Sequence, residues 1–248
     1  VRMNSQMTTA VLKSYIDLAR QGGYDEESLK IMEAMIIDIV HPLLDWNGTL
    51  LMAFHMNTSG NNITVNINST ANSFYVRMGF FFVYPNEEDF RRCVAIMTYG
   101  DDCEGSVAQN YELFNFVSYR DFLAEHGMKI THPDKSDCDS PFLDVDKADF
   151  LKRVSSNVEG IPCPLGKLSE DSIFKSLHAN LISHTASQRE VSISCMETAL
   201  HEWFAFGKEH YEMRLSQMKE VAARSGLPET PAFCAFEKRV EMWREKYL

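Results

Sequence analysis

Val94-Ala95-Ile96-Met97-Thr98-Tyr99-Gly100-Asp101-Asp102-Cys103-Glu104-Gly105-Ser106-Val107 decides the fold. An apolar run (Val94 to Met97) and a second short extended stretch (Cys103 to Val107) flank a tight turn carrying Gly100 and two adjacent acids. Neighbouring carboxylates at such a tip repel each other unless a cation neutralises them. No Lys or Arg lies within seven residues on either side. Hard oxygen donors of this kind suit Mg²⁺ or Mn²⁺, so Asp101 and Asp102 are candidate metal ligands. Metal-assisted phosphoryl transfer is therefore the first chemistry to consider.

The rest of the chain sets the bounds. Its 248 residues allow one large domain or two ordinary ones. With 45% hydrophobic and 24% charged residues, composition is that of a globular protein. No apolar run approaches the about 18 residues needed to cross a bilayer, so no transmembrane segment is expected. The opening Val1-Arg2-Met3-Asn4 is neither a signal nor a transit peptide and reads as the interior of a longer polypeptide. Six cysteines are scattered without CxxC or Cys–His ligand spacing, which argues against zinc and for a reducing compartment. Sequons at Asn47, Asn57, Asn62 and Asn68 are crowded, two of them on an expected helix, and read as coincidental. The net charge of −11 opposes nucleic-acid binding by the whole surface; such binding requires locally placed cations or a basic part elsewhere in the protein.

Apolar periodicity predicts helices over 5–20 and 26–40, the second capped by Asp25. A turn at 45–48 and a strand over 49–55 follow. The loop 57–60 then leads into a long helix reaching about Phe82, polar in its first turns. After the acidic hairpin come a helix over 111–126, strands near 128–131 and 150–154, and helices over 170–184, 188–206, 208–224 and 232–247. The punctuation at Pro162-Cys163-Pro164 separates a mixed α/β part from an all-helical one.

Three further patterns carry chemistry. In Asn57-Thr58-Ser59-Gly60, Gly60 lets backbone approach a ligand. Ser59, Thr64 and Asn68 offer hydroxyls and an amide, the last two sharing a helix face, a spacing suited to the hydroxyls of a sugar. An Asn-rich solvated helix is the plain alternative. In Thr131-His132-Pro133-Asp134-Lys135-Ser136, Lys135 can deliver a proton to a departing oxygen or simply be solvated. In Phe150-Leu151-Lys152-Arg153, two cations beside an apolar anchor suit a nucleic-acid phosphate or an exposed edge strand.

In this order, SGxxxTxxxN, YGDD, GMKITHPDKS and FLKR resemble the palm motifs B, C, D and E of viral RNA-dependent RNA polymerases in the picornavirus-like superfamily. The likeness is greatest to the marine picorna-like, dicistrovirus and iflavirus lines. It spans about residues 57–153, and the stretch from Leu168 to Tyr211 resembles that family's helical thumb. The resemblance implies an α+β fold: a palm over 1–160, an antiparallel sheet with packed helices, then a thumb over 161–248. It implies Mg²⁺ (or Mn²⁺) at Asp101 and Asp102, nucleotide contacts at Ser59, Gly60, Thr64 and Asn68, and Asn68 reading the ribose 2′-hydroxyl. It makes Lys135 the general acid for pyrophosphate release and sets Lys152 and Arg153 beside the RNA backbone. The partners it implies are template RNA, a primer or nascent strand, NTPs and other segments of the viral polyprotein. The expected location is host cytoplasm, at viral replication complexes.

One departure matters. The family's other metal-binding aspartate and a second acid near the ribose (motif A) should precede motif B, and the helix over 5–20 resembles the one that follows them. Motif A and the basic fingers are thus expected to lie outside this chain, which accounts for the acidic balance and predicts no polymerisation by this segment alone. Three alternatives stand beside this one. A reverse transcriptase also carries an acidic palm hairpin, although Gly100 and Asn68 favour ribonucleotides. An Asp-dependent phosphohydrolase would release phosphate without elongation. An acidic helical binding module or secreted glycoprotein would use the surface charge and the sequons.

Overall fold

Side-chain caps and glycines set the limits of the helices. The structure, a computed structural model, describes residues 4–54, 58, 60–132 and 139–248. Helix α1 (Ser5–Gln21) starts where the Asn4 side chain accepts from the Gln6 amide at 2.9 Å, and it stops at Gly22. Helix α2 (Glu26–Val40) starts at Asp25, whose carboxylate accepts from the Ser28 amide at 2.8 Å, satisfying a donor that a first helical turn leaves unpaired.

Strands β1 (Leu43–Trp46) and β2 (Thr49–Met52) form a hairpin with Trp46 opposite Thr49. Asn47 (φ 53°) and Gly48 (φ 85°) supply the two positive φ angles of a type I′ turn, and the Asp45 carboxylate accepts from the Gly48 amide at 2.8 Å. The sequence pattern anticipates the turn and β2 but not β1. It also extends β2 to His55, which lies outside the described residues.

Helix α3 (Thr64–Val83) is the axis of the first unit. Its first half buries Ile67 and Ala71 against Val11 and Leu12 of α1 and Val40 of α2. Downstream are α4 (Phe90–Cys93), β3 (Val94–Tyr99), β4 (Asp102–Val107) and α5 (Phe116–Glu125). The second half of α3 buries Val76 and Phe80 in one cluster with Phe90, Val94, Phe122 and Leu123. Phe80 meets the rings of Phe90 and Phe114 edge-on at 5.3 and 5.5 Å, an arrangement aromatic quadrupoles favour. Removing these faces from water contributes roughly 25 cal/mol per Å² of apolar area, which fixes α3 between the two clusters.

Two expectations shift in this unit. Helix α5 begins at Phe116 rather than Tyr111 because Asn115 caps it. The Asn115 side chain accepts from the Val117 and Ser118 amides while the Ser118 hydroxyl accepts from the Asn115 amide, a reciprocal cap. The strand expected near 128–131 does not form. The Gly127 and Met128 amides bond back to Ala124 and Leu123 carbonyls and close the helix with Gly127 at φ 70°.

The chain divides into two compact units between Leu143 and Asp144, upstream of the expected break at 160. The reason is the sheet formed by β5 (Asp149–Phe150), β6 (Arg153–Ser156) and β7 (Leu165–Leu168), in which β6 pairs with both neighbours. That sheet straddles the proline punctuation and cannot be cut there. Helices α6 (Glu170–Leu177), α7 (Gln188–Trp203), α8 (Lys208–Arg224) and α9 (Phe236–Tyr247) complete the second unit around Ile173, Leu200, Trp203 and Tyr211. Here α6 is shorter than the pattern suggests. Its Glu170 accepts from His210 at 2.7 Å and from Arg214 at 2.6 and 2.9 Å. Burial works against ionisation of Glu170, but these hydrogen bonds outweigh it and hold the carboxyl below its ordinary range. Among the described residues, no helix is long and apolar enough to cross a membrane.

Candidate active site

The acidic turn forms as the sequence predicts. Strands β3 and β4 are antiparallel from Val94 opposite Val107 to Tyr99 opposite Asp102, leaving Gly100 and Asp101 as the loop. Gly100 has φ 62° while Asp101 keeps a negative φ, the pattern of a type II′ hairpin turn, which takes Gly at its first central position. Gly105, opposite Ile96, is needed for a different reason: a Cβ there would sit 2.9 Å from the Ala95 carbonyl oxygen. Both acids are solvent-exposed, and among the described residues neither makes an ion pair.

Helix α3 lies against this turn and holds it. The Asn72 side-chain amide donates toward three consecutive carbonyls: Gly100 at 3.5 Å, Asp101 at 3.1 Å and Asp102 at 3.3 Å. Three acceptors in a row admit only the NH₂ end of the amide. One turn away, the Ser69 hydroxyl donates to the Val65 carbonyl at 2.7 Å and accepts from the Gly100 amide at 2.8 Å. Sequence patterning does not single out Ser69 or Asn72 as site residues. The one available signal was the i, i+4 stripe Thr64–Asn68, which reaches Asn72 when continued by one turn.

Of the predicted nucleotide residues, Thr64 and Asn68 sit on the same helix and Gly60 precedes it. Asn68 is half-buried on α3 and adjoins Ser69, which touches the turn. Thr64 opens the helix, and its hydroxyl donates to the Thr58 carbonyl at 2.8 Å, closing the loop that carries Gly60. Gly60 has φ 99°, and among the described residues no atom lies within 4 Å of where a Cβ would be. Ser59 and Lys135 lie outside the described residues.

Lys152 and Arg153 belong to the second unit and have different fates. Leu151 (φ 55°) and Lys152 (φ 62°) form the two-residue loop between β5 and β6. Positive φ at two non-glycine residues costs on the order of 1 kcal/mol each. The Asp149 carboxylate offsets part of this by accepting from the Lys152 amide at 2.9 Å. The Lys152 ammonium is exposed and, among the described residues, makes no ion pair. Arg153 is engaged instead: it donates to both Glu202 oxygens at 2.7 and 2.8 Å and to the Gly166 carbonyl at 2.8 Å. The paired carboxylate raises the Arg153 guanidinium further above its ordinary range. These bonds fix the hairpin on α7, while 40% of the Arg153 side chain stays exposed.

Among the described residues, no cluster of three or more His, Cys, Asp or Glu could hold a metal ion. The donor set at the turn nonetheless fits Mg²⁺ or a similar cation, which is commonly held by one or two carboxylates with water and substrate phosphates completing its shell.

The chain is similar to known proteins in sequence and in fold. The family model described as "Viral RNA-dependent RNA polymerase" matches residues 7–223. The RNA1 polyprotein of Cherry rasp leaf virus is 31% identical over 193 residues, covering 73% of this chain and 8% of the polyprotein. The replicase polyprotein of Cricket paralysis virus is 24% identical over 233 residues, covering 91% of this chain and 13% of the polyprotein. In fold, the chain matches a Sicinivirus 3Dpol RNA-dependent RNA polymerase with a TM-score of 0.60 and 16% identity, over 87% of this chain and 43% of that one. The chain therefore spans a small part of these polyproteins and less than half of the solved polymerase.

Proposed function

Because the chain belongs to the viral RNA-dependent RNA polymerase family, we propose that it supplies the palm and thumb of an enzyme elongating RNA on an RNA template. The observation that carries this is the hairpin tip: two adjacent exposed carboxylates, without an ionic partner among the described residues, on a turn bonded to a polar helix. The reaction is attack of a 3′-hydroxyl on the α-phosphorus of an NTP, with the bond to the β-phosphate oxygen broken and pyrophosphate leaving. Asp101 and Asp102 would hold divalent cations, Mg²⁺ or Mn²⁺, with a further acid from outside this chain. Bound there, such ions act as Lewis acids on the phosphoryl oxygens and favour the alkoxide form of the attacking hydroxyl.

The chain's own groups do the rest by position. The loop carrying Gly60 approaches the nucleotide, Thr64 holds that loop to α3, Ser59 would help shape the nucleotide site, and Asn68 hydrogen-bonds the ribose 2′-hydroxyl. A site built to bond a hydroxyl rejects the analogue lacking it, because its polar group is then left unpaired. Lys135 donates a proton to the leaving pyrophosphate. Lys152 contacts the backbone of the growing strand as a point charge, and Arg153 keeps its hairpin on α7. Under the same proposal, the partners are template, nascent RNA, NTPs and neighbouring polyprotein segments, and the location is the replication complex in host cytoplasm.

The test is Asp101→Ala in the complete polymerase. Elongation is abolished while RNA binding is retained; near wild-type extension by this variant would refute the role. Primer extension with NTPs against dNTPs on one RNA template separates this enzyme from a reverse transcriptase, since only NTPs should extend.

A further inference from the structure

Resting on that reading of the turn, we propose that Asn72 is a positioning residue. Assisted by Ser69, it sets the geometry of both metal-holding carboxylates from the helix that reads the nucleotide. The direction of a side chain follows from the two peptide planes that flank its Cα. For Asp101 these planes carry the Gly100 and Asp101 carbonyls; for Asp102 they carry the Asp101 and Asp102 carbonyls. These are the three oxygens that the Asn72 amide faces, at 3.5, 3.1 and 3.3 Å. One side chain thus restrains every peptide plane that aims the pair.

Ser69 fixes the remaining side of the loop by accepting the Gly100 N–H at 2.8 Å, its own proton being committed to Val65. The turn needs this help. Its exposed side chains make no ion pair among the described residues, and Gly100 carries no side chain that could pack. Asn72 lies one helical step beyond Asn68 and two beyond Thr64 on one stripe, each step rising about 6 Å. The ribose-reading face and the carboxylate-aiming face are therefore one rigid helix edge, anchored below by Ile67 and Ala71.

The test uses the complete polymerase carrying Asn72→Ala, Asn72→Asp or Ser69→Ala, with Asp101→Ala alongside. Single-turnover incorporation is measured across a Mg²⁺ titration, together with the KM for NTP and the thermal melt. Asn72→Ala removes the donors and should lower the rate by about tenfold, as expected for one lost hydrogen-bonding group. Asn72→Asp keeps the shape but turns an acceptor toward three carbonyls, and should lower the rate on the order of 10²-fold, as a misplaced reacting group does. Both variants should need more Mg²⁺ for half-maximal rate while the KM for NTP changes little. Ser69→Ala should show a smaller loss with the same raised Mg²⁺ requirement.

A merely space-filling Asn72 gives the opposite order, because Asp fills the site and Ala does not. Asn72→Asp performing as well as or better than Asn72→Ala would overturn the proposal. So would an activity loss matched by a lowered melt with an unchanged Mg²⁺ requirement. Should Asn72→Asp fail to fold, an unchanged Mg²⁺ requirement in Ser69→Ala and Asn72→Ala decides against it. Activity in Asp101→Ala would instead strike the underlying assignment of the turn, which keeps the two failures apart.

Discussion

Gly79→Ala should destabilise the protein, although alanine is the better helix former. Gly79 is buried in the interior of α3, where alanine is favoured by about 1 kcal/mol. Against this, the new Cβ would lie 2.7 Å from Tyr119 Cδ2, 3.1 Å from its Cε2 and 3.2 Å from Phe122 Cδ1. Neither ring can swing into solvent, since Tyr119 and Phe122 are 8% and 5% exposed. Tyr119 packs on Phe114 at 5.9 Å, and Phe122 lies against Phe82 and His126 at 5.3 and 4.6 Å. Overpacking of this kind costs about 1–3 kcal/mol, so steric cost exceeds propensity gain and a net loss of about 1 kcal/mol is expected. In a polymerase more than twice as long as this chain, as the matched structure is, that lowers the melting temperature by about 1 °C. Thermal melts of the complete polymerase, wild type against Gly79→Ala, provide the assay. A Tyr119→Leu background, which removes the ring, should shrink the cost of Gly79→Ala. A melt at or above wild type for Gly79→Ala, or the same penalty in both backgrounds, would refute the argument that the Tyr119 ring leaves no room for a Cβ on α3.

Other outcomes follow from the same geometry. A double-mutant cycle with Arg153→Ala and Glu202→Ala should give a coupling of about 1 kcal/mol, modest because the pair is only partly buried; no measurable coupling would contradict the assignment of Arg153 to α7. Glu170 has a carboxyl held below its ordinary value of 4.5, so its contribution is complete above that pH and is lost as pH falls through the lower folded-state value. The melt difference between wild type and Glu170→Gln should therefore be steady at neutral pH and shrink below about pH 4.5; a difference that instead grows on acidification would reverse the sign. Lys135→Leu should slow incorporation on the order of 10²-fold without abolishing it, and an unchanged single-turnover rate would remove the general-acid role.

Much of this was legible in the sequence because it is local. The Tyr99–Asp102 turn announces itself by glycine and acids between extended runs, Asp25 marks a helix start through its carboxylate, and Gly127 marks a helix end through its positive φ. What the sequence withheld is pairing at a distance. Nothing in Lys152-Arg153 distinguishes a solvent-facing cation from one bonded to Glu202 on α7, because that difference exists only after α7 packs. The Asn72 and Ser69 contacts likewise join α3 to a hairpin tip far along the chain, and periodicity alone gives a face without naming what it faces. Strand β7 was missed because Leu165-Gly166-Lys167-Leu168 is short and becomes a strand only by pairing with β6. The missed start of α5 was legible in principle, since Asn115 followed by Ser118 is a local cap.

The central claim is that Asp101 and Asp102 tolerate each other at one hairpin tip because they share divalent cations with a nucleoside triphosphate. Crystals of the complete polymerase, soaked in Mn²⁺ with a nonhydrolysable NTP analogue, test it through anomalous diffraction above and below the manganese edge. A peak within coordination distance of both carboxylates, lost in Asp101→Ala, is the predicted result. Bound nucleotide with no anomalous density at that tip would contradict it.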